Sequence, residues 1–219
     1  MNSPILQLLV LAGIAIFLIL RLRSVLGTRE GFEKPPVPRQ PDNQRQGPEL
    51  EVIESGPDHD IIDNVPEDSD AAKALAKMKR VDNSFSVNEF LQGARGAYEM
   101  ILTSFEQGAM EDIKPFLSED VYDAFAEVVE TRREQELDIE FTFVGVSELR
   151  LVDADFDEMT NEAELSVRFL GEMTSVVRDN AGEVIEGSPS DIKRQRDVWT
   201  FARKMGTSDP NWTLVATGG

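Results

Sequence analysis

The chain has 219 residues, with 22 basic against 41 acidic side chains, a formal net charge of −19 at pH 7, one histidine and no cysteine. Such a surface repels nucleic-acid phosphates. The lack of cysteine excludes disulfides, thiolate nucleophiles and cysteine zinc sites, and a lone His59 excludes a folded histidine metal centre. Nothing in this composition calls for a cofactor.

Taken in chain order, residues 1–26 come first. Ile5 to Leu20 carries no charge, and Arg21 and Arg23 follow it. As a helix, Pro4 to Leu20 would span roughly 26 Å at ~1.5 Å per residue, just within the range for a ~30 Å hydrocarbon core. No basic residue precedes the run, and Arg-Leu-Arg stands where a cleavage site should be, so the stretch reads as an uncleaved transmembrane anchor. Arg21, Arg23, Arg29 and Lys34 all lie on its C-terminal side. The positive-inside tendency then puts the N-terminus outside a bacterial plasma (inner) membrane and the domain in the cytoplasm, as a single-pass protein.

Residues 27–67 form a Pro-rich acidic tether, too poor in apolar residues to offset its ordering entropy. Residues 68–82 read as a basic amphipathic helix with Leu75 and Met78 on one side. Its Lys73, Lys77, Lys79 and Arg80 are open to two readings, contact with anionic lipid or a solvated face that complements the helix C-terminus.

From residue 84 to 219 the pattern is that of one folded domain. Ser86-Val-Asn-Glu89 is a capping box, and Phe90, Leu91, Ala94, Tyr98, Ile101, Leu102 and Phe105 recur at helical spacing behind it. Gly108 stops that helix, Glu111 to Leu117 is a brief one, and Ser118 caps another that carries Val121, Tyr122, Phe125 and Val129 through about Arg133. At Leu137 the period changes to two. Phe141 and Phe143 alternate with polar residues, Gly145 marks a bulge, and the strand resumes through Val152. A second strand runs from about Glu162 to Val177. Asp179-Asn-Ala-Gly182 is a turn and Gly187-Ser-Pro-Ser190 a mobile loop. Ile192 to Lys204 and Asn211 to Thr217 are the last strands. Helices followed by antiparallel hairpins predict an α+β fold, with helices packed on a curved antiparallel sheet.

Two stretches are similar to a known family. Asp82-Asn-Ser-Phe85 leading into Glu89-Phe-Leu-Gln-Gly-Ala-Arg-Gly-Ala-Tyr-Glu-Met100 resembles the opening helix of Tim44-like domains. So does Asp197-Val-Trp-Thr-Phe-Ala-Arg203 followed by Ser208-Asp-Pro-Asn-Trp-Thr-Leu-Val-Ala-Thr217. The anchor and the residues just after it resemble the single-span bacterial members, relatives of the mitochondrial inner-membrane import-motor tether. The resemblance implies a cystatin- or NTF2-like sheet enclosing an apolar pocket, a scaffold role beside an inner-membrane protein complex such as a translocase, and contact with acidic phospholipid. The long chaperone-binding N-terminal region of the mitochondrial member has no counterpart here; the acidic tether stands in its place.

The expectation is therefore a non-enzymatic, membrane-anchored adaptor whose pocket accepts a lipid tail or a partner's hydrophobic segment. Candidate lining residues are Tyr98, Leu102, Tyr122, Phe125, Phe141, Phe143, Trp199 and Phe201. Two alternatives stand beside it. One is an NTF2-like pocket enzyme, which needs an acid or base inside the cone. The other is calcium binding by Asp153, Asp155, Asp157 and Glu164, whose spacing matches positions 1, 3, 5 and 12 of an EF-hand loop. Glu158 replaces the glycine that such a loop needs, and strands flank it, so an acidic hairpin turn is the simpler reading.

Overall fold

The computed structural model describes residues 57–218. The expected anchor and the tether up to residue 56 lie outside them. Among the described residues no helix is long and apolar enough to cross a membrane.

The first element lies where the tether was expected to continue. Helix α1 (His59–Ile62) is a single turn begun by Asp58, whose side chain accepts from the Asp60 N–H. Its Ile61 and the following Val65 belong to the hydrophobic core. The boundary at residue 67 is thus corrected: two apolar side chains in a polar stretch suffice to dock it, because a hydrophobic surface waits for them. Helix α2 (Asp70–Val81) starts at Ser69, whose side chain accepts from the Ala72 N–H, and buries Ala72, Ala74, Leu75 and Met78.

Helix α3 (Val87–Glu106) is the long one. Ser86 accepts from the Glu89 N–H at 3.3 Å, as the capping box predicts. A second acceptor set comes from α1. Asp60 takes hydrogen bonds from the Val87 and Asn88 N–H groups at 2.7 and 2.9 Å and from the Ser86 hydroxyl at 3.0 Å. The brief helix is split in two, α4 (Met110–Ile113) and a 3-10 turn over Lys114–Phe116 with Pro115 inside it. Helix α5 (Glu119–Glu134) is capped by Ser118.

Four strands follow in antiparallel order β1-β2-β3-β4. They are β1 (Asp138–Asp157), β2 (Glu162–Arg178), β3 (Val184–Lys204) and β4 (Thr213–Gly218). β1 shifts register between Phe143 and Gly145, Val146 and Glu148, and Leu151 and Asp153. Each extra residue bends the strand and increases its twist. Gly145 thus sits at a register shift, as its sequence position suggests. The turn at Asp179–Gly182 also forms: the Gly182 N–H donates to Asp179 O at 2.9 Å and Gly182 takes a φ of 81°.

The loop expected at Gly187-Ser-Pro-Ser190 is instead part of β3, paired with Ser175 and Val176. Gly187 makes this possible. Its φ is 81°, and a Cβ there would lie 1.9 Å from Ser175 O, so only glycine lets the strand continue.

Along β2, Ala163, Leu165, Val167, Phe169, Gly171 and Met173 are buried while their neighbours are not. That inner face packs against the helices, and the outer face carries the charged residues.

Candidate functional site

The centre of the inner face is aromatic. Tyr98, from the middle of α3, stacks on Phe169 with ring centroids 4.3 Å apart and planes 5° from parallel. Trp199 and Phe143 close around it at 4.7 and 6.0 Å. A buried phenol needs a partner, and the Tyr98 hydroxyl donates to Asp197 Oδ2 at 2.5 Å. Gln195 Nε2 donates to the same carboxylate at 3.0 and 3.1 Å. Asp197 occupies an inner position of β3, of the same parity as Trp199 and Phe201.

Burial pushes the Asp197 carboxyl above its ordinary value of 3.8, against the pull of the Tyr98 and Gln195 hydrogen bonds. Burial, together with the adjacent Asp197, pushes the Tyr98 phenol up as well, so it stays protonated and donates. For Asp197 the linkage sign is that of an acid favoured neutral in the fold. Its contribution is complete at low pH and declines as pH rises from the unfolded value through the higher folded one. Asp197→Asn keeps an acceptor for Tyr98 and removes the charge. The variant is expected to resist urea better than the parent at pH 7 and equally at pH 3.5; a loss of stability at pH 7 would refute this account.

The close approach of Tyr98 to the sheet needs Gly171. A Cβ there would lie 2.7 Å from the Tyr98 Oη, and 3.0 Å from both Tyr98 Cε1 and Met173 Cε. Gly171→Ala is expected to cost about 1–3 kcal/mol as overpacking, read from the urea midpoint.

A second cluster adjoins the first. Phe90 from α3 meets Phe201 at 5.9 Å and Trp212 at 4.7 Å, and Phe85 meets Trp212 at 5.9 Å. Arg203 lies 5.7 Å from the Trp212 ring and pairs with Asp82 in the turn between α2 and α3. The residues that carry the family resemblance, Asp82, Phe85, Phe90, Tyr98, Asp197, Trp199, Phe201, Arg203 and Trp212, therefore meet in two adjoining contact sets. They clamp α3 to the sheet.

The eight expected pocket residues separate into two groups. Tyr98, Leu102, Trp199 and Phe201 are core residues, exposed by 8% or less, and a ligand would have to displace them. Phe141, Phe143, Tyr122 and Phe125 are half-buried at the margin of that core. Phe125 packs on Phe105 at 4.7 Å, and Tyr122 donates to Glu111 at 3.0 Å. Among the described residues, a cleft of about 330 Å³ lies elsewhere, lined by polar residues such as Glu162, Lys204 and Asp209.

Three of the four basic residues on α2 are engaged. Lys73 pairs with Asp70, Lys77 with Glu158, and Lys79 with both Asp58 and Asp60 at 2.7 and 2.8 Å. Burial works against the Lys79 charge, but its two carboxylate partners raise its pKa overall. Arg80 is exposed and makes no ion pair among the described residues.

The calcium alternative is corrected by the strand it falls on. Asp153, Asp155 and Asp157 are alternate residues of β1, and Glu164 faces Asp155 across the ladder. At ~3.3 Å per residue an extended strand spreads three such carboxylates over about 13 Å, where a loop would converge them. Asp157 serves the hairpin turn instead, accepting from the Met159 N–H at 2.7 Å. Among the described residues no group of three or more His, Asp or Glu side chains is placed to hold a metal ion.

Tyr98 at helical spacing and the aromatic alternation of β3 are visible in sequence. The role of Asp197 has a sequence signature too, a carboxylate in phase with Trp199 and Phe201. Gly171 and Asp60 have no comparable local signal.

An antiparallel four-stranded sheet with helices clamped over its inner face through aromatic and ionic contacts defines a helix-backed α+β domain. The Tim44-like domain family matches residues 71–219, and the chain belongs to it. The mitochondrial import inner membrane translocase subunit TIM44 of Homo sapiens is 23% identical over 160 residues, covering 71% of this chain and 35% of that protein. Those of Rattus norvegicus and Mus musculus match over the same shares at 23% and 22% identity. The chain thus spans about a third of the length of these relatives. A crystal structure of the intermembrane space region of the chloroplast protein ARC6 matches with a TM-score of 0.43 and 8% identity, over 58% of this chain and 94% of that one.

Proposed function

We propose that this protein is a membrane-anchored adaptor, its residues 1–26 forming a single span and its Tim44-like domain serving as a non-catalytic scaffold in the cytoplasm beside an inner-membrane complex. The observation that carries the reading is the family match over residues 71–219, together with relatives named as subunits of an inner membrane translocase. In this reading the helix-backed sheet is the curved, NTF2- or cystatin-like support of the family, and residues 27–56 set its reach from the bilayer.

The half-buried margin at Phe125, Phe141 and Phe143 is the part of the inner face that a lipid tail or a partner's hydrophobic segment could reach without unpacking the core. With Lys73, Lys77 and Lys79 held by carboxylates, the attachment to the membrane rests on the anchor, with Arg80 the free charge of α2. A buried carboxyl inside the cone is the feature that would favour a pocket enzyme. Here the half-buried Asp197 accepts from Tyr98, which is 0% exposed, and that use of the carboxylate as a structural acceptor supports the scaffold reading.

The test is crosslinking in intact membranes followed by purification of the full chain in detergent. Recovery of a stoichiometric membrane-protein neighbour supports the adaptor. Recovery of the chain alone, or in the supernatant after ultracentrifugation, overturns it.

A further inference from the structure

The outer face of the sheet holds a group of cations that no carboxylate answers. Arg150 of β1 stands directly opposite Arg168 of β2, and Arg168 stands opposite Val198 of β3. One register step along, Leu170 faces Arg196. Side chains of directly paired residues project to the same face, so the three guanidinium groups run beside the half-buried Leu170 and Val198, with Glu148 opposite Leu170 on the β1 side. Two arginines placed directly opposite repel each other. In a chain with a net charge of −19, where carboxylates outnumber cations almost two to one, such a triad would be easy to neutralise. Yet none of the three makes an ion pair or hydrogen bond among the described residues, whereas Arg194 on the same face is paired with Glu172 at 2.9 Å.

We propose that this patch docks a short acidic segment of a protein partner, its carboxylates on Arg150, Arg168 and Arg196 and an apolar side chain on Leu170 and Val198. Arginine forks bind carboxylates in bidentate fashion. A flat anionic bilayer fits less well, because Glu148 and Glu172 on one side and Asp153 on the other share this face and would meet the same negative plane. A single extended peptide passes between them.

The inference rests on the adaptor reading in that the domain binds protein. The probe is a fluorescein-labelled twelve-residue peptide alternating glutamate with leucine and serine, titrated by anisotropy into the full chain in neutral detergent. Saturable binding is expected, weakened at least tenfold by the combined Arg150→Gln, Arg168→Gln and Arg196→Gln variant and unchanged by Arg178→Gln. An unchanged near-ultraviolet circular dichroism spectrum shows that the triple variant is folded. No binding by the parent, or equal binding by the triple variant, overturns the proposal. So does arginine-dependent binding to vesicles containing phosphatidylglycerol without binding to the peptide. If the membrane neighbour is still crosslinked equally well by the triple variant, this face is wrong and the adaptor reading stands; if no neighbour exists, the adaptor reading itself falls.

Discussion

Tyr98→Ala is expected to lower the stability of the domain by about 3–5 kcal/mol, the range for deleting a fully buried aromatic ring. The ring is the node of the inner face: it stacks on Phe169, touches Trp199 and Phe143, and holds Asp197 through its hydroxyl. Its removal leaves a cavity and also strips a buried carboxyl of a donor. Tyr98→Phe separates these effects. It keeps the ring and is expected to cost about 1–2 kcal/mol, with a larger loss at pH 7 than at low pH, where Asp197 is neutral. Urea denaturation followed by tryptophan fluorescence reads both, since Trp199 is 4.7 Å from the ring. A Tyr98→Ala loss under 1 kcal/mol would mean that the stack contributes little.

Asp60→Ala is expected to cost about 3 kcal/mol, combining a lost helix cap with lost hydrogen bonds to a charged acceptor. Four unpaired N–H groups open every α-helix, and here two of them, at Val87 and Asn88, are satisfied by a carboxylate 27 and 28 residues away. The negative charge also faces the positive end of the helix dipole. Loss of Asp60 frees α1, so Ile61 and Val65 leave the core with it. Asp60→Asn keeps an acceptor at the helix end and is expected to lose less.

The pH dependence follows from the same contacts. Burial opposes ionisation of Asp60, but Lys79, Asn88, Val87 and Ser86 together bring its pKa below 3.8. Asp82 is likewise held low, by Ser84 against the effect of burial and with the help of Arg203. Folded values below the unfolded ones mean that this stabilisation is fully present above about pH 4 and disappears as pH falls through the depressed values. Asp60→Ala should therefore flatten the acid limb of the stability profile. An acid limb as steep as that of the parent would show that the cap is not charged in the fold.

How much of this could be read from the chain depends on the range of the interaction. Ser86 and Ser118 reach backbone donors three residues on, and both caps are where the local pattern puts them. The change of period at Leu137 and the turn at Asp179–Gly182 are equally local. The break of the brief helix after Ile113 has no such local sign beyond Pro115; β1 runs on to Asp157, with buried Ala154 and Phe156 alternating between aspartates, and β3 begins at Val184, well ahead of its apolar alternation. In that β3 extension backbone pairing to β2 supplies what side-chain pattern does not. Of the eight expected pocket residues, Tyr98 and Leu102 of α3 and Trp199 and Phe201 of β3 fill the core, a distinction between lining and core that a local apolar pattern does not make.

From period and capping residues alone follow the α+β class, the order of helices and strands from residue 68 onward and the inner face of the main strands, because all of these are written in neighbours a few residues apart. The likeness to the Tim44-like family is carried by two particular stretches of sequence. Register is different. Which residue stands opposite Arg168, what Asp60 caps, whether Lys79 meets lipid or carboxylate, and why position 171 must be glycine were decided only when distant segments met. A strand's alternation says which face a side chain takes, but the free energy of the whole packed sheet selects its neighbour across the ladder.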